Sequence, residues 1–293
     1  MVPLLYILSL PFYGRVSTPV VELVEQFLNF YQNQAVFYVN VDISTSGDWT
    51  LNGWGSPHVR EALFDVTKST SNPNTQQRKD MDLPTVYDAW AKFMGDESQD
   101  GSKGGSKGLP NFGPLGAGSD FWGFFQLAGV ASIDFWYQSR DSDYSGYQLY
   151  HSAYETVFSV KEIIDKGWHT NTAMCQIYTE IGRIFADYEV LPFRLGYYAE
   201  RVEKDGGRFF ADHAGDLERD FGLNMTHFSK VVSGLVGEIR ATQSGIDRFI
   251  FANSVEADGE IVNQANPIHL RSINDMLMNF ERLFLYKQDS LLG

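Results

Sequence analysis

The chain has 293 residues, and its 43% hydrophobic and 15% aromatic content excludes a disordered polypeptide and supports one large or two ordinary domains. A formal net charge of −14, with no basic stripe to neutralise phosphates, argues against a nucleic-acid partner. The single cysteine, Cys175, excludes an intrachain disulfide.

The apolar run Val2 to Phe12 has no preceding Lys or Arg and is interrupted by Pro3, Ser9 and Pro11. It is too short to span a bilayer, which takes roughly 20 residues. It fits a buried strand, the reading that the following segments favour, or the core of a signal peptide. Pro19 to Phe30 predicts a helix with Val20, Leu23, Val24, Phe27 and Leu28 as its apolar stripe. Glu22 and Glu25 lie three apart on that helix, a spacing that reads first as a solvated face.

Ala35 to Asp42, AVFYVNVD, predicts a strand that is nearly continuous in apolar residues, as a parallel strand covered on both faces is. Ligands of open α/β sheets gather at the carboxyl ends of strands, where Asp42 stands; an aspartate that merely starts a turn is the plain alternative. Ser56-Pro57 predicts a capped helix start, with Val59, Leu63 and Phe64 facing inward. Leu83 to Phe93 predicts a second short helix, and the Gly-, Ser- and Lys-rich Ser98 to Pro114 a surface loop.

Ser119 or Asp120 is placed to cap a helix running to about Leu127, with Gly118 in a tight turn before it and a strand at Val130 to Tyr137 after it. Tyr144 to Thr156, YSGYQLYHSAYET, sets His151 among four tyrosines and a glycine. The chemistry of that stretch is a metal-binding or acid–base imidazole walled by ring hydroxyls; a histidine packed in an aromatic cluster is the alternative. From Thr172 onward the periodicity is helical: Thr172 to Tyr188, Leu195 to Asp212, Met225 to Thr242, and Pro267 to Lys287 with Asn266 as its cap. Asn224-Met225-Thr226 matches a glycosylation acceptor triplet. His213 with Asp212 and Asp216 reads as a solvated acidic face, and no HExxH, phosphate-binding loop or dinucleotide fingerprint occurs.

Three stretches carry a resemblance. SGYQLYHSAYET resembles the SGYPLYHSVYET segment of the glutamate carboxypeptidase II family of zinc peptidases, VNVDISTSG resembles its INADSSIEG, and LGAGSDFWGFFQLAGVAS resembles its LGSGNDFEVFFQRLGIAS. Val190-Leu191-Pro192-Phe193 is similar to the family's junction between the peptidase domain and a helical domain shared with transferrin receptor.

The resemblance implies an α/β fold: the C-terminal part of a zinc-exopeptidase sheet domain over residues 1–187, then part of an all-helical, transferrin receptor-like dimerisation domain over 188–293. It implies zinc ligation by Asp42 and His151, substrate contact by Gly118, Ser119, Tyr147 and Tyr150, and calcium at Glu22 and Glu25. It further implies a peptide substrate, a homodimer formed through the helical domain, and a membrane-anchored protein with its catalytic part outside the cell.

The family site holds two zinc ions, five protein ligands and a glutamate base. Where the family has two glutamates, this chain has Pro11 and Phe12, followed by the matching Tyr13-Gly14. Asn52, Asp134 and Trp136 stand where relatives that favour acidic substrates carry arginines, so an acidic substrate is expected to meet repulsion at Asp134. The reading is therefore a fragment of a zinc peptidase that is inactive as this chain. The alternative is a non-enzymatic, transferrin receptor-like homologue serving as a dimerisation or binding scaffold.

Overall fold

The computed structural model describes residues 4–6, 18–95, 108–140, 147, 149–257, 260–263 and 265–285. Pro11 to Gly14, most of the expected 98–114 loop, Tyr144 to Gly146 and Lys287 lie outside the described residues. The chain divides into two compact units: Met1–Tyr188 with Met278–Gly293, and Glu189–Leu277.

The first unit is a mixed α/β body. Its elements are β1 (Leu4–Tyr6), α1 (Thr18–Gln26), α2 (Leu28–Gln34), β2 (Ala35–Asn40), β3 (Thr50–Gly55), α3 (Arg60–Ser69), α4 (Thr75–Asp80), α5 (Val86–Phe93), β4 (Phe112–Gly113), β5 (Ser132–Gln138), α6 (Val157–Ser159) and α7 (His169–Asp187). The sheet order is β1-β2-β5-β3-β4. β2 runs parallel to both β1 and β5, whereas β3 is antiparallel to β5. All six residues of β2 are buried, which explains their near-continuous apolar character.

Side chains alternate along each strand, so the sheet has two distinct faces. On one, Phe37 stacks on Phe185 and Phe135 on Tyr178, with ring centroids 4.1 and 4.4 Å apart, and α7 closes over them. On the other, Tyr38 stacks on Phe124 at 4.1 Å, and Val20, Val24 and Tyr31 complete that core with the turn at Gly123–Leu127. Asn52, Trp54, Asp134 and Trp136 continue this second face through the register of β3 and β5.

Several expected boundaries move for identifiable reasons. The helix expected at Pro19 to Phe30 is broken at Phe27, whose φ of −114° and ψ of 27° leave the helical region; its ring is exposed rather than in the stripe. Ser56 does not cap a helix, because its Oγ accepts the Ser132 backbone N–H at 3.1 Å; a 3₁₀ turn, Pro57–Val59, leads into α3 instead. α5 starts at Val86 because Thr85 and Asp88 form a reciprocal cap. α7 starts at His169, ahead of the expected Thr172, because the buried Asp165 carboxylate accepts the backbone N–H groups of Thr170 and Asn171 at 3.0 and 2.8 Å.

The second unit holds α8 (Leu195–Phe221), α9 (Met225–Asn253), the hairpin β6 (Ser254–Ala257) and β7 (Glu260–Asn263), and most of α10 (Pro267–Asn279). α8 and α9 run well past their expected ends. The glycines inside α8 do not break it; Gly206 lets α9 approach so closely that an added Cβ would lie 2.8 Å from Val232 Cγ1. Gly222, at φ +65°, ends α8, and the Gly222 and Leu223 N–H groups turn back to Glu218 and Leu217 carbonyls. Asn224 caps α9 by accepting from His227 N–H at 2.8 Å, and Asn266 Oδ1 accepts from Ile268 N–H at 2.8 Å.

The last helix stops at Asn279 rather than continuing to Lys287. The next residues form a 3₁₀ turn, Glu281–Phe284, and belong to the first unit. There Arg282 Nη2 donates to the carbonyls of Tyr31 and Ala35 at 3.4 and 3.1 Å, and Glu281 is buried beside His58.

Candidate functional site at the end of the second strand

Asp42 lies two residues beyond β2, at the carboxyl end of the sheet, and is exposed. Its Oδ2 accepts a hydrogen bond from Ser119 Oγ at 2.7 Å. Ser119 begins the turn after the Gly116–Gly118 loop, its carbonyl accepting Trp122 N–H at 3.1 Å, and is only 5% exposed. Its hydroxyl is thus turned toward Asp42. Gly118 is exposed, and a Cβ added there would meet nothing within 4 Å, so its backbone is open to a ligand.

The loop carrying His151 is held by a residue that sequence reasoning passed over. Glu155 accepts the His151 backbone N–H through Oε2 at 3.0 Å and the Tyr147 hydroxyl through Oε1. The Tyr147 hydroxyl therefore fastens the loop. His151 has φ +56°, an uncommon value for a side-chain-bearing residue, and its ring stacks on Tyr150 with centroids 3.7 Å apart. Tyr150 is 41% exposed, and its hydroxyl pKa is raised by burial and then by the charge of Asp42, which sets Tyr150 within electrostatic reach of that carboxylate.

Behind Asp42 sits a set of polar groups that the apolar reading of β2 concealed. Tyr38 and Asn40 share one face of the strand, and the signal was their period-two spacing with Asp42. Asn40 is buried and hydrogen bonds to Asp134, a strand neighbour on β5. Burial pushes the Asp134 carboxyl up to about 7, with the charge of Asp42 adding to the rise and the Asn40 bond opposing it. Asp134 is 8% exposed, and its raised pKa favours the neutral acid, which weakens the expected repulsion of an acidic substrate. Asp120 is likewise raised to about 6, by burial and then by Asp42. The neighbouring Trp54 and Trp136 meet edge to face at 4.7 Å, and Asn52 donates to Gln138 at 3.2 Å.

No family model matches the chain. Individual relatives do. It is 27% identical to aminopeptidase NAALADL1 of Rattus norvegicus over 267 residues, which is 90% of this chain and 33% of that protein. It is 27% identical to a glutamate carboxypeptidase 2 homolog of Caenorhabditis elegans over 275 residues, again 90% and 33%. A probable glutamate carboxypeptidase of Arabidopsis thaliana, LAMP1, is 26% identical over 271 residues, 92% of this chain and 33% of that one.

Over most of its length the chain is similar to members of the glutamate carboxypeptidase II family. It spans about a third of the length of the curated relatives it matches. The named relatives are aminopeptidases or glutamate carboxypeptidases, which makes this a peptidase family.

The zinc that the resemblance to the glutamate carboxypeptidase II family implies can be tested against the residues present. The donor types suit it, because carboxylate oxygen and imidazole nitrogen both bind zinc. The number does not: among the described residues no three His, Cys, Asp or Glu side chains are grouped to hold a metal ion, whereas a catalytic zinc takes three protein ligands. Among the described residues, Asp42 and His151 are not joined by a third such donor. The same count applies to calcium. Glu22 and Glu25 are both exposed on α1, and calcium takes six to eight oxygens.

Proposed function

We propose that this chain is part of a glutamate carboxypeptidase II-like peptidase. The first unit forms part of the peptide-hydrolysing body, and the helical second unit is part of a transferrin receptor-like domain that pairs two copies. Asp42 and His151 are its share of a two-zinc ligand set, with the other ligands and the general base outside the described residues. Tyr150 and the Gly118 backbone face the peptide. The observation that carries this reading is Asp42: a carboxylate just past the end of a buried parallel strand, within electrostatic reach of Tyr150, in a chain 90% of which is matched by relatives named as peptidases.

On this reading the chain alone does not hydrolyse peptides, since metal-activated water requires a fully held metal ion. The test is a dipeptide library offered to the purified chain with zinc. Turnover that His151→Ala abolishes would overturn the claim of inactivity. We also propose, from the resemblance, that the complete protein is membrane-anchored with its peptidase part outside the cell. No helix among the described residues is long and apolar enough to cross one.

A non-enzymatic scaffold is the alternative. Val231 and Leu235, one turn apart on α9, are exposed, and neighbouring exposed apolar residues suit a contact surface. Self-association without hydrolysis by the complete protein would support that alternative.

A further inference from the structure

A chain of hydrogen bonds runs from the core to Asp42. Tyr38 Oη donates to Asn40 Oδ1 at 3.2 Å, Asn40 Nδ2 donates to Ser119 Oγ at 3.0 Å, and Ser119 Oγ donates to Asp42 Oδ2 at 2.7 Å. Every link donates in the same direction. An ionised carboxylate only accepts, so the Ser119 proton goes to Asp42 and the serine lone pair is left for Asn40. The amide of Asn40 is fixed in turn: its nitrogen serves Ser119, and its oxygen receives Tyr38. Tyr38, Asn40 and Ser119 are all buried, so little water competes for these bonds, while Asp42 at the end is exposed.

We infer that Tyr38, Asn40 and Ser119 are positioning residues for Asp42. They hold Oδ2 toward the sheet and leave Oδ1 as the oxygen offered to a cationic or N–H-bearing group. The last bond is charge-assisted and is the strongest link. Ser119 therefore acts through Asp42 and not by touching a peptide. The inference rests on the reading of Asp42 as a site carboxylate.

The experiment is NMR on the full chain, without added metal, carrying ¹³C-labelled aspartate and ¹⁵N-labelled asparagine. Asp42→Asn identifies the Asp42 carboxyl signal. Ser119→Ala is expected to move both the Asp42 carboxyl carbon and the Asn40 side-chain amide, and Ser119→Thr, which keeps the hydroxyl, to return both toward wild type. Tyr38→Phe is expected to move the Asn40 amide. Both signals staying in place in Ser119→Ala, or failing to return in Ser119→Thr, would overturn the inference whatever happens to thermal stability.

Should Ser119→Ala not fold, the wild-type chain decides. In mixed H2O and D2O, a split Ser119 Cβ signal marks a slowly exchanging, bonded hydroxyl, and a single averaged line contradicts it. None of these readouts involves hydrolysis or zinc. A failure of the peptidase reading would appear elsewhere, as Asp42→Asn leaving peptide binding by the complete protein unchanged.

Discussion

The Nδ1 atom of His58 lies 3.6 Å from Oε2 of Glu281, and both side chains are buried in the first unit. The geometry alone would fit an ion pair, but burial pushes the imidazole down to about 3, so it is neutral near pH 7. An unfolded His58 binds a proton below about pH 6.5, whereas the folded one stays neutral down to about 3. Its contribution to stability is therefore present above 6.5 and is lost as pH falls through that window. Denaturant titrations of wild type and His58→Gln across pH 4 to 8 are expected to differ most at neutral pH and to converge toward acid. The opposite trend would mean that Glu281 holds a proton on His58.

Asp134 works in the other direction. Its carboxyl is raised from 3.8 to about 7, so the folded state holds the proton more tightly than the unfolded state does. That favourable term is complete below about 3.8 and is lost as pH rises through about 7. Asp134→Asn removes the cost of a buried charge. It is expected to stabilise the first unit at pH 8 by on the order of a few kcal/mol, with a smaller gain at pH 5. Equal effects at both pH values would show that the carboxyl is ionised in the fold throughout.

Much of this was legible in the sequence, and the rest was hidden for physical reasons. The apolar run of β2 identified a doubly covered strand, and the period of the later segments identified the long helices. Asn40 escaped because a single buried amide in such a run looks like noise until its three partners arrive from Tyr38, Ser119 and Asp134, two of them about 80 residues or more away. Glu155 was within the stretch singled out, but its bonds to the His151 backbone and Tyr147 depend on a left-handed residue that composition does not reveal. The return of Glu281 and Arg282 to the first unit broke the periodicity of the last helix, and nothing local marks that contact.

Arg282 fastens that return by donating to the carbonyls of Tyr31, in the last turn of α2, and Ala35, at the start of β2. Arg282→Ala takes one donor from each carbonyl, Tyr31 still receiving the Ala35 N–H, and is expected to destabilise the first unit by on the order of 1 kcal/mol. The check is the midpoint of urea unfolding followed by hydrogen exchange in β2. An unchanged midpoint would mean that the turn at 281–284 is merely draped on the sheet. Gly129 is expected to be equally sensitive: its φ is +62°, and an added Cβ would lie 2.8 Å from both Arg282 Cγ and Leu285 Cδ1.

Self-association through the helical unit, part of the proposed function, has its own test. Val231 and Leu235 lie one turn apart on α9, 55% and 40% exposed. Leu235→Asp is expected to shift a dimer toward monomer in sedimentation equilibrium without changing helix content. Wild-type chain that stays monomeric at every concentration would remove this surface from the account.

The most direct measurement is zinc per chain, on soluble protein dialysed against buffered zinc. The account assigns two donors, Asp42 and His151, where a single catalytic zinc takes three. It predicts a stoichiometry near zero, unchanged by His151→Ala. Two tightly held zinc ions per chain, lost in Asp42→Asn and His151→Ala, would contradict it and would mean that this chain carries a complete metal centre.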